Sequence, residues 1–209
     1  MVNMQDFIAN TPFEKKVKVD ELLFAEFECP DNGPSGIWWH HNFFSHILTG
    51  EVMLKTPRGE YLLETGDSAF AKKGSVIAQT YRHEDFCELL VFMPDDFINT
   101  VIKKYNLQLA SVPQEPADTI IKLGNDAILT TYFQSLFTHF QQSAIPSGAL
   151  LKLKFEELLL NILSGYNHQS LKYYFSEISR CSNPSIKEIM EANFFNNLSL
   201  DEFARLCAR

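Results

Sequence analysis

Apolar residues in the first half of the chain fall in short runs of strand length, divided at close intervals by turn-forming residues. Residues 21–29 are rich in Leu, Phe and Ala, and Pro30-Asp31-Asn32-Gly33-Pro34-Ser35-Gly36 follows as a dense turn cluster. Strand-like runs continue at 37–41, 43–48 and 52–55, with Thr56-Pro57-Arg58-Gly59 as a hairpin signal. Further runs occupy 61–63, 68–71, 76–82 and 86–92. Many short strands with frequent Gly and Pro predict a sandwich or small barrel. Pro94 closes this half, and Asp95-Asp96-Phe97-Ile98 predicts a helix start with acidic residues where the helix dipole favours them.

After Pro113 and Pro116 the apolar spacing becomes helical. Residues 125–142 carry one broad stripe through Leu129, Tyr132, Phe133, Leu136, Phe137 and Phe140, broken by Pro146-Ser147-Gly148. Residues 149–166 form a second helix with apolar positions on several faces, Leu151, Phe155, Leu158 and Ile162 among them. A helix this apolar needs more than one neighbour. A second subunit could supply one, which makes these four residues candidates for dimerisation, and burial within the chain's own domain remains the alternative. Residues 170–180 predict a third, shorter helix.

The C-terminal stretch has sharper signals. Asn183-Pro184 is a helix opening with Asn as cap and Pro at the first helical position. Ser199-Leu200-Asp201-Glu202 is a capping box, with Ser as cap and Glu at the third helical position. Leu200, Phe203, Ala204 and Cys207 then share one face, and Ala204 is small where a close helix crossing requires it.

Composition narrows the function. Of 209 residues, 45% are hydrophobic and 21% charged, which is globular composition with enough apolar content for a core. The net charge of −8 excludes a general nucleic-acid coat, so a basic DNA-contacting surface would have to lie in a segment other than this one. There is no signal peptide and no apolar run long enough to span a bilayer. Cys29, Cys87, Cys181 and Cys207 lack Cys-x-x-Cys spacing and read as reduced thiols of a cytoplasmic protein. No nucleophile constellation or phosphate-binding Gly-rich loop is present, so no catalytic residue is assigned.

The run Asn197-Leu198-Ser199-Leu200-Asp201-Glu202-Phe203-Ala204-Arg205-Leu206 resembles the opening of the AraC-type DNA-binding domain. The resemblance implies that Leu200, Phe203 and Ala204 pack the first helix-turn-helix and do not read bases. The recognition helix would begin just past Arg209, and a second helix-turn-helix would follow. On this reading DNA is a partner of the full-length protein only, and the chain alone does not bind a specific site.

AraC-type regulators often carry an N-terminal cupin-like barrel, and three segments here resemble one. They are His40-His41-Asn42, then His46-Ile47-Leu48-Thr49-Gly50-Glu51, then Gly66-Asp67 with the later Gly74, where Lys73 replaces the usual Pro. A metal-binding cupin would need a His-x-His pair, a nearby Glu and a later His. His40 and His41 are adjacent, neighbours on a strand point to opposite faces, and Ser75 to Gln79 holds no His. No metal or cofactor is therefore expected. Trp38, His40 and His46 are the candidate ligand-binding residues, with ordinary packing the alternative for each; of the two tryptophans, one is expected inside and one exposed or at an interface.

The segment Leu90-Val91-Phe92-Met93-Pro94-Asp95-Asp96-Phe97 resembles the type III secretion activator branch of the same family, which implies a regulatory protein partner in place of a sugar.

The reading is an α+β chain in three parts: a cupin-like sensor barrel with a closing helix (1–112), a helical dimerisation or linker region (113–182) and the start of a helix-turn-helix domain (183–209). Its function is the signal-sensing and dimerising part of an AraC-type transcription regulator. The partners are a second copy of the chain and an unknown small-molecule effector or regulatory protein. The alternatives are a metal-dependent cupin enzyme and a protein-interaction module.

Overall fold

Two sheets face each other in the computed structural model, which describes residues 1–11, 15–28, 35–80, 86–107, 109, 118–141, 146–164, 168–180 and 186–207. The turn residues 30–34, His83 with Glu84-Asp85, Pro113, Pro116, Cys29, Cys181 and the Asn183-Pro184 opening lie outside the described residues. The five-stranded sheet runs β1 (Val2–Asn3), β4 (Ser35–Trp39), β9 (Gly74–Thr80), β6 (Glu51–Thr56), β7 (Gly59–Glu64). The six-stranded sheet runs β11 (Ile120–Gly124), β8 (Ser68–Ala71), β5 (Asn42–Thr49), β10 (Cys87–Met93), β3 (Leu22–Glu28), β2 (Lys16–Val19). Gly50 (φ 80°) and Gly66 (φ 89°) turn the chain between strands in a left-handed conformation that glycine adopts without strain.

The helices are α1 (Met4–Asn10), α2 (Asp95–Lys104), α3 (Ala127–Gln141), α4 (Gly148–Ser164), α5 (Gln169–Arg180), α6 (Ile186–Asn193) and α7 (Leu200–Leu206). The helices α2 to α5 cover the outer face of the six-stranded sheet. That sheet is therefore buried on both sides, and side-chain alternation divides it cleanly. Leu23, Ala25, Phe43, Ile47, Leu90 and Phe92 point between the sheets. Leu22, Phe24, Phe44, Phe70, Leu89 and Val91 point at the helices. A strand covered on both faces reads as a nearly continuous apolar run, which is why residues 86–92 show so little alternation in sequence.

Buried Asn42 ties the layers together. Its Nδ2 donates to Asp95 Oδ1 of α2 (2.6 Å), and its Oδ1 accepts from the Tyr174 hydroxyl of α5 (2.8 Å) and from the Lys73 backbone N–H (3.1 Å). A proline at position 73 would have no N–H to give.

The α+β barrel-plus-helices architecture is as the sequence reading has it, with three differences. The stretch after Pro116 is not wholly helical: β11 pairs antiparallel with β8, so the barrel extends to Gly124 and a boundary at 112/113 cuts through it. A short N-terminal strand and helix, β1 and α1, belong to the barrel and carry no strong periodicity of their own. Leu151, Phe155, Leu158 and Ile162 are all buried in the chain's own helix-side core, so the alternative reading of that helix holds and these four offer no surface to a second copy. Among the described residues, no helix is long and apolar enough to cross a membrane.

Candidate functional site

Between the sheets lies a cavity of about 310 Å³. This sits at the lower end of the range of about 300–1,000 Å³ typical of small-ligand sites. The space exists because Ser45, Ala69, Ala71 and Ala78 occupy inward strand positions where larger side chains would meet. Aromatic rings stiffen the wall: Phe43 stands edge-on to Trp39 at 4.9 Å and tilts against Phe92 at 4.9 Å. The Trp39 Nε1–H is spent on the Lys72 carbonyl at 2.8 Å, leaving the ring as an apolar surface.

One side of the cavity is closed by α1, through Met4 and Phe7. This helix is pinned by polar contacts at its start. The Asn3 side chain caps the Asp6 N–H at 2.9 Å. Asn3 Nδ2 also lies 3.3 Å from His40 Nδ1, and Gln5 Nε2 lies 2.8 Å from His41 Nδ1. Both rings accept these bonds in their neutral form. Burial, with His41 beside it, holds His40 down to about 4, and burial likewise lowers His41.

The floor carries one ionisable group. Glu88, the second residue of β10, accepts a hydrogen bond from Ser45 Oγ to its Oε2 at 2.5 Å. Burial pushes its carboxyl up to about 7, against the opposing pull of the Ser45 bond. The signal for this residue was in the sequence, as a lone acid inside the apolar run 86–92, and sequence reasoning passed over it.

The cavity brings together none of the three residues singled out beforehand. Trp38 is buried but points out of the five-stranded sheet, while its neighbour Trp39 lines the cavity. His40 lies at the β4–β5 turn, holding α1 from outside. His46 faces the helices, stacked on Phe133 at 4.8 Å and 3°, with Nδ1 2.9 Å from Ser68 Oγ. Burial lowers its pKa to about 4, which marks a neutral core histidine. Among the described residues, metal-ligand spacing occurs at Glu26, Glu28 and Cys87 and not at the histidines. There Lys15 already pairs with Glu26 at 3.0 Å, and burial with the surrounding carboxylates raises the Cys87 thiol to about 12, so it stays protonated.

The outer face of the five-stranded sheet receives α6 and α7. Trp38 packs with Ile189, Leu206 and Cys207, with Leu198 and Phe203 at the margin. Ser75 Oγ donates to Asn193 Oδ1 at 2.6 Å and accepts from Asn196 Nδ2 at 2.6 Å. Arg205 lies over the Trp38 ring at 5.3 Å and pairs with Asp6 of α1 at 2.6 Å. The Ser199–Glu202 capping box starts α7 as expected, with both of its hydrogen bonds formed. Of the residues assigned to helix-turn-helix packing, Phe203 and Ala204 are half-buried and Leu200 is 82% exposed. Leu206 and Cys207 do the packing here, from the last turn of α7, while Leu200 at its first residue stays outside the contact.

Residues 42–174 match the family model of the ExsA N-terminal regulatory domain. The chain belongs to this family. The ExsA-type match runs from the first residue of β5 into α5, so it includes Ser45, Glu88 and most of the helical layer and leaves out α1, α6 and α7. Among curated proteins, the virulence regulon transcriptional activator VirF of Yersinia enterocolitica is 26% identical over 165 residues, covering 76% of this chain and 59% of that protein. The thermoregulatory protein LcrF of Yersinia pestis is 25% identical over 165 residues, with the same shares. The chain thus spans well under two thirds of the length of either relative. Apo ToxT K231A from Vibrio cholerae has the same fold: TM-score 0.55 at 9% identity, over 88% of this chain and 69% of that one. The chain is an ExsA-type N-terminal regulatory domain built on two facing sheets, and the curated relative VirF is a transcriptional activator.

Proposed function

We propose that the chain is the signal-receiving part of a DNA-binding transcription activator, in which a small apolar effector enters the barrel cavity and α7 reads its presence. One observation carries this reading: α1 closes the cavity with Met4 and Phe7 and, through Asp6, holds Arg205 of α7 at 2.6 Å. Anything that displaces α1 acts directly on that contact.

The energies suit a switch. The Asp6–Arg205 pair is partly exposed and contributes about 1 kcal/mol or less. The Arg205–Trp38 contact adds about 0.5–1 kcal/mol. A ligand shifts an equilibrium by its difference in affinity for the two states, and these two contacts are weak enough for a modest ligand to change. DNA contact belongs to this proposal through a complete helix-turn-helix domain. Exposed Ile186, Met190, Phe194 and Leu200 support it as an apolar face on which further helices of such a domain would pack. A homodimer is part of the proposal too, without the residues first assigned to it. Ile128 of α3 and Leu153 of α4, both exposed, are the apolar positions that support it.

Hydrogen exchange of the whole chain, with and without saturating toluene, tests the coupling. Filling the cavity is expected to change protection across residues 200–206, and Asp6→Asn alone should reproduce the change. A filled cavity with unaltered exchange in α7 overturns the reading.

A further inference from the structure

The cavity has a polarity that limits what can occupy it. Among its described lining residues the polar side chains are Ser35, Ser45 and Glu88, and none is a lysine, arginine or histidine. Ser35 is exposed and sits at the rim. Ser45 donates a hydrogen bond to Glu88 Oε2. Glu88 lines the cavity, and this bond from Ser45 is the one its carboxyl shows among the described residues. A carboxyl accepts several hydrogen bonds, so a ligand that brings a donor into this apolar space finds acceptor capacity there.

We infer that this cavity takes an apolar molecule whose one polar end is a hydrogen-bond donor, a hydroxyl or an ammonium, seated on Glu88, and that Glu88 is the residue that selects the head group. The inference rests on the effector-cavity reading above and specifies its chemistry. A carboxylate ligand would bring a second anion against Glu88 in an apolar enclosure without a cation, and like charges there cannot both stay ionised without penalty. A molecule with no polar end fills the space but makes no use of the carboxyl. The carboxyl titrates near neutrality, so it can receive a donor as an anion or share its own proton with a hydroxyl oxygen.

Four probes that share one benzene ring separate these cases at neutral pH: toluene, benzyl alcohol, benzylamine and benzoate, titrated against the full chain by thermal shift and by tryptophan fluorescence. Benzyl alcohol or benzylamine is expected to bind about tenfold more tightly than toluene, and benzoate more weakly than toluene. In Glu88→Leu the advantage of the donor should collapse while toluene still binds. Should that variant fold poorly, Glu88→Gln keeps the shape and an acceptor, and should lose the preference for the amine while keeping that for the alcohol. If benzoate matches the alcohol, or the donor preference survives Glu88→Leu, or the amine preference survives Glu88→Gln, the role of Glu88 is overturned and the cavity reading stands. If no probe binds, toluene included, the cavity reading falls and this inference with it.

Discussion

The two faces of the six-stranded sheet are built from the same strands, one residue out of step, and they do opposite things. On the helix side, large rings meet directly: Phe44 tilts against Phe70 at 4.8 Å, Phe70 stands edge-on to Phe175 at 5.4 Å, and His46 stacks on Phe133. On the cavity side the inward positions include Ser45, Ala69 and Ala71, and space remains. The difference teaches that capacity to bind and capacity to stabilise are assigned to alternate residues of one strand. Substitutions can break or sharpen that contrast.

The largest effect is expected on the packed face. Phe155→Ala should cost about 3–5 kcal/mol in denaturant unfolding, because Phe155 is fully buried in a core with no slack. A loss under about 1 kcal/mol would show that the helix side is as loose as the cavity side.

Next come two buried ionisable groups, Glu88 on the cavity face and His46 on the helix face, with opposite pH signatures. Glu88, raised from 4.5 to about 7, binds a proton more readily in the folded state. Its contribution is therefore present at low pH and lost as pH rises through about 7, on the order of 3 kcal/mol in total. Glu88→Gln should accordingly gain stability relative to the parent as pH rises from 5 to 8. His46, lowered from 6.5 to about 4, is the reverse: unfolding takes up the proton, so stability present above 6.5 is lost as pH falls toward 4. His46→Gln should flatten that acid limb and leave the alkaline side unchanged. A parallel shift of both variants at all pH values would remove the titration argument from both faces.

Two smaller effects complete the series. Ala71→Leu, which grows a side chain into the cavity, should change stability by no more than about 1 kcal/mol while abolishing toluene binding, since the volume is already there. Arg205→Ala should cost about 1 kcal/mol or less in global unfolding, and its signature should be local, as faster hydrogen exchange in α7.

Much of the barrel was legible from the chain. The run at 68–71 coincides with β8, and the other strands that were read fall within a few residues of those observed. The Ser199–Glu202 capping box, the helix start after Pro94 and the break at Pro146-Ser147-Gly148 were equally readable, because local backbone chemistry sets them. What failed was facing. A strand apolar on both sides gives no alternation to count, so nothing in the run 43–48 says that Ser45 looks into the cavity and His46 away from it. Trp38 and Trp39 differ by the same single step. For Leu151, Phe155, Leu158 and Ile162, a stripe of apolar residues records that a helix is covered, and the identity of the cover is a tertiary fact. Leu200 shows the converse: its helix is docked, but through its C-terminal end.

Ser75 bears on how such regulators can be recombined. Its one hydroxyl donates a hydrogen bond to Asn193 and accepts one from Asn196, at a place where Gly74 lets the helix come so close that an added Cβ would meet Asn193 Oδ1 at 3.3 Å. A single atom thus serves as the mate for two side chains of the following segment. A hybrid gene that joined this barrel to another regulator's C-terminal half ahead of α6 would place unmatched residues on that hydroxyl. The seam between the halves is keyed, and the parts are not freely interchangeable.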